Sequence, residues 1–494
     1  MDASPRRLFG RRQILTSATE ITRENVVHEV VEKAYLTHLK NRDEINYLYE
    51  YYKGNQPILY RLKEIRPEIC NTVVENHAQE IIAFKTGYLC GSPIQYISRN
   101  AEDNVSESVA YLNDMMLSRS KASKDKELIE WDGIAGTAYR MVLPVSDDED
   151  APFDVYTLDP RDAFVIYNNG VERRPVAGVY YVTDDDWQIN HFSVYTPNEY
   201  FEIQGNKIVN QRPLSLGGMI PIIEYPANNS HMGAFEPVIP LLDAINEVDS
   251  NRLDGVEQFI QSLIVLYNCE LDEGENANTI RANGLITLKS IGENKADIKV
   301  LAEQLNQTET QTLKDDMYQM VLTISGVPSQ GNGNTGDSSN NGAVILRQGW
   351  EGAEARAKDS ELMFKQSEEK FLKLVLFICK GLSKLELKVS DVEAHFTRRN
   401  YENLLSKSQV LVTMLAQDKI APKLAFEASG LFIDSEEAYR ESMAWWEEHK
   451  NDATTTETQS YIPGTGITGP AETEQPEASE EAEGPGITDQ HKQK

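Results

Sequence analysis

The sequence is poor in the residues from which most reactive sites are built. Its four cysteines, Cys70, Cys90, Cys269 and Cys379, stand far apart with no C-x-x-C spacing. Neither a disulfide framework nor a zinc knuckle is expected, and the thiols read as reduced. The eight histidines are dispersed. No Ser/His/Asp, Cys/His, paired-carboxylate or metal-ligand pattern emerges, so no metal, no cofactor and no catalysis are expected. Long apolar runs are missing too. Arg6, Arg7, Arg11 and Arg12 are followed by no apolar stretch of leader type, so no signal peptide is expected. Phe371 to Cys379 is broken by Lys373 and is too short to span a bilayer, so the chain reads as soluble, without a membrane partner. Positive charge is scarce, with 48 Lys and Arg against 78 Asp and Glu and a net charge of -30. Proteins that grip duplexes of any sequence use excess positive charge to release counterions. Here the partners are proteins, or nucleic acid is meant to slide past without being held.

Bulk is what Ser329 to Gly342 lacks. The stretch reads SQGNGNTGDSSNNG, with no aliphatic, aromatic, Lys or Arg. Before it, Leu301, Leu305, Leu313, Met317, Met320, Val321 and Ile324 keep a helical period that stops at Gly326 and Pro328. After it, a second helical pattern runs from Ala343 to about Lys380, a rod of about 55 Å. A polar loop between two long helices is expected to project into open space. Gly331, Gly333 and Gly336 spell G-x-G-x-x-G, but that turn binds a dinucleotide only when a strand feeds it, and here a helix does. No Gly-Lys-Ser/Thr follows, so the phosphate-cradling loop of nucleotide hydrolases is absent.

A chain of 494 residues holds two to four domains. Residues 1–23 read as a mobile arm. Val27 to Leu39 and Asp43 to Tyr52 read as two helices, the second crowded with Tyr47, Tyr49, Tyr51 and Tyr52. A third starts after Pro67 and carries Ile69, Val73, Val74, His77, Ile81, Phe84 and Tyr88 on one face, with His77 expected as a satisfied core histidine. A short strand at Ile94 to Ile97 and helices at Ser106 to Leu117 and Ala122 to Ile134 follow. From Tyr139 to Asn210 the period becomes two, and Asp, Asn, Gly and Pro clusters cut it into antiparallel strands. The acidic runs Asp147 to Asp150 and Asp184 to Asp186 read as solvated turns, since neither has the spacing and glycine of a calcium loop. An apolar strand at Pro221 to Pro226 leads to a helical stripe from Val238 to Leu263. A small β insertion follows, with strands at Leu263 to Tyr267 and Leu285 to Leu288, before the helix at Leu301. Leu385 to Val389 and Val392 to Phe396 read as strands, and Asn400 as the cap of a helix through Leu415. Two shorter helices come next, the second carrying Trp445 and Trp446. Residues 451–494 hold nine acids, two lysines and one aromatic, with GITGP and PGITD as a weak echo, and are expected to be disordered.

Tyr51-Tyr52-Lys53-Gly54, Asn71 with Asn76, Gly87-Tyr88-Leu89-Cys90-Gly91-Ser92-Pro93, Phe396-Thr397-Arg398 and Asp434-Ser435-Glu436-Glu437 resemble tailed-bacteriophage portal proteins of the SPP1 type. The order of elements over about residues 25 to 450 is similar too. The resemblance implies a mixed α+β, elongated multi-domain fold assembling into a ring, commonly of twelve subunits, at one capsid vertex. In these terms 24–235 and 343–399 correspond to the wing, 236–262 and 305–327 to the stem, and 263–304 to the clip. Residues 328–342 correspond to the tunnel loop and 400–450 to the crown. The implied partners are the terminase large subunit and a head-completion or adaptor protein, with major capsid and scaffolding proteins around the ring. Double-stranded DNA passes through the channel without sequence reading, and no ATPase belongs to the portal. Ser329, Gly331, Asn332, Gly333, Asn334, Gly336, Asp337, Asn340 and Asn341 would line that channel. Glu270, Asp272, Glu273, Glu275 and Asn276 would meet partners at the clip tip.

Elementary physics is in keeping with the resemblance, because a passage for any sequence should avoid base readout and strong phosphate gripping. Two other classes compete. A nucleotide-binding enzyme would need Gly331 to Gly336 to follow a strand. A helical scaffold protein would need sustained heptads, which Gly349, Gly352 and neighbouring charges interrupt.

Overall fold

The computed structural model describes residues 8–64, 66–99, 103–145, 150–183, 190–260, 263–267, 269–271, 288–290, 297–301, 307–329, 349–382, 385–398, 404–417, 419–432 and 435–449. Its chain divides into two units, Met1–Glu437 and Ala438–Lys494. Residues 8–16 are not a mobile arm. Arg11 is buried, with its guanidinium 2.8 Å from Glu236 and 3.2 Å from Glu44. The following β1 (Ile14–Thr16) pairs in parallel with β5 (Ala163–Asn168). A π-helical turn, Val26–Val31, runs straight into α1 (Glu32–Tyr52). The two helices read from the sequence are therefore one, since Lys40, Asn41 and Arg42 bring neither Gly nor Pro between them.

Helix α2 (His77–Cys90) begins at His77 rather than near Ile69. Asn76 caps it by accepting from the Gln79 amide at 3.4 Å. After β2 (Gln95–Ser98) come α3 (Asp103–Ser118) and α4 (Lys121–Ala135). Gly136 ends α4 at φ +78°, where a Cβ would stand 2.2 Å from the His231 carbonyl oxygen. The alternating stretch forms β3 (Thr137–Pro144), β4 (Phe153–Leu158), β5, β6 (Pro175–Thr183), β7 (Asn190–Tyr195), β8 (Glu199–Gln204) and β9 (Lys207–Pro213). They make a six-stranded sheet ordered β1-β5-β6-β7-β8-β9, while β3 pairs with β4 and with β10 (Ile222–Pro226) in a second sheet. The first sheet buries Phe164, Val179, Phe192 and Phe201 against Val26, Val30 and Ala34. Each such side chain contributes about 1.5–3 kcal/mol.

A 3-10 turn, Glu236–Val238, opens α5 (Ile239–Ile260). The insertion then supplies β11 (Leu263–Tyr267), β12 (Cys269–Leu271), β13 (Leu288–Ser290) and β14 (Asp297–Leu301). β11 pairs with β14 and β12 with β13, all antiparallel. Leu301 is therefore the last residue of a strand rather than the first of a helix. Ile298 and Val300 alternate with Asp297 and Lys299, a signal masked by the helical spacing of Leu301 and Leu305. Helix α6 (Gln307–Ser325) and α7 (Trp350–Leu382) follow. The 33 residues of α7 span about 50 Å. No strand forms at Leu385 to Val389; Val389–Asp391 is a 3-10 turn closed by the Asp391 carboxylate on the Lys388 amide. β15 (Val392–His395) then pairs with β2. Helices α8 (Leu404–Leu415), α9 (Pro422–Ser429) and α10 (Ser435–His449) complete the described chain. Asn400 and residues 451–494 lie outside the described residues.

A second core lies under α7, where Phe371, Val375 and Cys379 meet Leu112, Met115, Phe153 and Val155. Four charges are buried within it. Lys121 lies 2.7 Å from Asp125 and 2.8 Å from Glu368, and Arg140 pairs with both acids. Tyr225 donates to Glu368 at 2.7 Å. Burial raises the Glu368 carboxyl, but Lys121 and Arg140 outweigh it and hold the group at about 2. Among the described residues no helix is long and apolar enough to cross a membrane.

Candidate functional site

Helices α5 and α6 form the pair that flanks the β insertion, and their inner faces are set by sequence spacing. Leu242 and Ile245 of α5 bury against Met317 and Val321 of α6 together with Ile81 and Ile82 of α2. On another face of α5, Asn246, Ser250 and Asp254 recur every fourth residue and are all buried. That period places them in one row. They serve as acceptors for an extended segment. Asn246 Oδ1 accepts from the Glu75 amide at 2.8 Å, Ser250 Oγ from the Val73 amide at 2.9 Å, and Asp254 Oδ1 from the Asn71 amide at 2.7 Å. This explains why residues 70–76 are not helical despite Val73 and Val74, for their amides are already satisfied by α5. Asp254 also holds Arg61 at 3.2 Å and pairs with Lys63. Burial would raise its carboxyl, yet Lys63 and Asn71 hold it below the usual range.

His77 is not a core histidine. Its Nε2 lies 2.9 Å from Glu75 and its Nδ1 2.7 Å from Glu80, with Tyr318 of α6 packed 4.5 Å away. Burial lowers its pKa, but the two carboxylates outweigh this and raise it. Lys314 of α6 bridges Glu75 and Asp249, lying 2.8 Å from the latter.

The outer side of the pair is different in character. Leu313, Met320 and Ile324 are about half-exposed along α6, as are Leu253 and Val256 on α5. Of the eight acids on the two helices Asp254 is buried and Asp243 and Asp249 are held by Tyr51 and Lys314, while Glu247, Glu309, Asp315 and Asp316 are exposed, against two bases. Such a surface repels phosphate and retains apolar area for a protein neighbour.

Both ends of the glycine-rich stretch are pinned. Helix α6 stops at Gly326, φ +76°, where a Cβ would stand 2.5 Å from the Arg356 side chain. Arg356 of α7 donates to the Ile324 carbonyl at 2.8 Å, capping α6 with a cation. At the other end Trp350 packs 6.0 Å from Phe84 and 5.9 Å from Tyr88, whose hydroxyl donates to Glu354 at 2.7 Å. The helix α6 upstream of Gly331 to Gly336 removes the strand that a dinucleotide turn requires.

Ser329 is half-buried behind the buried Pro328. Gly331, Asn332, Gly333, Asn334, Gly336, Asp337, Asn340 and Asn341 lie outside the described residues. Of the clip residues, Glu270 sits in β12 opposite Lys289 of β13. Asp272, Glu273, Glu275 and Asn276 lie outside the described residues. What the sequence reading missed is the polar row on α5 and the buried charges. The four-residue spacing of Asn246, Ser250 and Asp254 was available as a signal, but their partners near residue 73 were not.

Residues 33–456 match the family of phage portal proteins described as SPP1 Gp6-like. The chain belongs to that portal family. The match runs through α1, the α5 and α6 pair with its β insertion, and α7, so all the surfaces above belong to the portal chain. No curated protein matches it. The portal chain is also similar to a chain in a solved structure described as the neck of an empty GTA particle computed with C6 symmetry. That similarity has 14% identity and a TM-score of 0.41, covering 72% of this chain and 90% of that one. A chain from the neck of a native GTA particle computed with C12 symmetry gives 14% identity and a TM-score of 0.40, covering 71% and 90%. The portal family is structural rather than catalytic.

Proposed function

We propose that this portal chain closes into a homo-ring at the capsid vertex, of twelve subunits as the resemblance implies, with double-stranded DNA passing along its axis. The observation that carries the reading is the α5 and α6 pair, which exposes Leu253, Val256, Leu313, Met320 and Ile324 together with the acids Glu247, Glu309, Asp315 and Asp316. A head-to-tail contact between such faces closes a ring when the rotation between copies is a simple fraction of a turn. In the ring, residues 263–304 project as the clip, with Glu270, Asp272, Glu273, Glu275 and Asn276 near the tip for the terminase large subunit and the head-completion protein. Residues 328–342 turn inward as the tunnel loop. Capsid and scaffolding proteins surround the wing and crown, and assembly takes place in the host cytoplasm.

The test is electron microscopy and native mass spectrometry of the full chain beside Leu313→Glu/Met320→Glu. The wild type should give rings with a central hole, and the double variant folded monomers with an unchanged circular dichroism spectrum. Rings from both proteins would remove the α6 stripe from the interface, and monomers from both would sink the ring reading.

A further inference from the structure

A cleft of about 780 Å³ opens where α2, α4, the loop before α5, the end of α6 and the start of α7 meet. Its size is that of a small-molecule pocket. Phe84, Tyr88, Met232 and Met363 give it apolar walls. Three titratable groups converge on it with unused bonding capacity. Among the described residues Lys85 has neither a hydrogen-bond nor an ion-pair partner, although it is half-buried. Burial disfavours the charge of Lys85, nearby Arg356 adds to this and Asp132 opposes it, while Arg356 commits one nitrogen to the Ile324 carbonyl. Asp132 Oδ1 is buried and accepts no hydrogen bond.

Two neighbouring cations share a half-buried, apolar-walled cleft, and the acids beside them are Asp132, whose carboxyl burial drives toward its neutral form, and Asp359. We propose that this cleft binds a carboxylate carried on an apolar body, the carboxylate meeting Lys85 and Arg356 and the body lying against Phe84, Tyr88 and Met232. Asp132 does not oppose this. Burial pushes its carboxyl up to about 8, with His231 and Lys85 restraining the rise, so near neutral pH it is largely protonated and does not repel a bound anion. The groups facing it are Lys85 from α2, His231 from the loop before α5, and Arg356 and Asp359 from α7. An occupant would touch both helices that bracket residues 327–349, and so couple them to α2.

The shared chemistry has two sources, a free amphipathic acid or an acidic side chain of a second copy of this chain. The probe is anilinonaphthalene sulfonate on the full-length protein, read by fluorescence, with decanoate and decylamine as competitors. Decanoate should displace the dye and decylamine should not. Lys85→Met should weaken decanoate about tenfold without changing the melting temperature, as loss of one charge-assisted contact implies. Affinity should fall as pH rises through about 8 in the wild type, while Asp132→Asn holds its affinity from about pH 7 to about pH 9. Displacement in both the isolated chain and the assembled state identifies a free acid. Displacement in the isolated chain alone identifies a neighbour's side chain. Equal displacement by decylamine, an unchanged Lys85→Met, or no displacement in either state would overturn the proposal.

Discussion

The core under α7 and the α5 and α6 pair both bury charge, but they treat it in opposite ways. Under α7, Lys121, Asp125, Arg140 and Glu368 are at most 3% exposed and compensate one another completely. On α5, the buried Asp254 is matched by Arg61 and Lys63, which remain partly exposed, and by backbone amides of an extended segment. The first arrangement joins elements that the chain itself folds together. The second holds a helix pair whose outer apolar stripe is exposed among the described residues. Packing under α7 is thus closed among the described residues, whereas the helix pair keeps exposed apolar surface. Buried ion groups are costly to desolvate, so the quartet is better read as a device that fixes how α4, β3 and α7 meet than as a source of stability.

That contrast can be broken most forcefully at Arg140. Arg140→Met leaves Asp125 and Glu368 with Lys121 alone in a dry core, and should destabilise the first unit by about 3–5 kcal/mol in chemical denaturation. Because Glu368 is held near 2 in the fold, its contribution is present above the ordinary carboxylate range and is lost as pH falls toward that value. The variant should therefore unfold at higher pH on acid titration. An unchanged midpoint in both titrations would mean that the quartet is not closed as described.

A smaller effect is expected on α5. Asp254→Ala removes the acceptor of the Asn71 amide and should cost about 1–3 kcal/mol. The loss should be local, with faster hydrogen exchange over residues 70–76 and ordinary protection under α7. Uniform acceleration would show that the two regions unfold as one.

The smallest effect belongs to His77. Its pKa is raised in the fold, so its stabilising contribution is complete below the ordinary histidine value and disappears as pH rises through the raised one. The wild type should lose its margin over His77→Gln in melting temperature as pH rises from about 6 to about 8. Screening by solvent keeps this to a few tenths of a kcal/mol, about what partly exposed pairs contribute. A margin constant with pH would rule out protonated His77 as the bridge between Glu75 and Glu80.

How much of this was legible depended on distance along the chain. The strands between Thr137 and Pro213 were readable because Asp, Asn, Gly and Pro punctuate a period of two. The helices on either side of residue 335 were readable because small polar residues separate two apolar periods. Residues 70–76 were not, since the acceptors that hold their backbone extended stand more than 170 residues away on α5. The quartet was equally hidden. Lys121 and Asp125 look like an exposed i, i+4 pair until Glu368, 228 residues beyond Arg140, completes them. The N-terminal strap was misjudged for a similar reason, because the buried carboxylate that orders Arg11 is Glu236.

The bond between Arg356 and the Ile324 carbonyl closes a circuit of 32 residues. Closure entropy grows with the logarithm of length, so doubling that circuit would cost only about 0.6 kcal/mol. The segment between the two residues can therefore be lengthened, shortened or exchanged almost without thermodynamic consequence, as long as Gly326, Arg356 and Trp350 keep its feet in place. On the proposed reading of that segment as the tunnel loop, aperture and fold would be separately adjustable, and portals with different bores could be engineered on one unchanged frame.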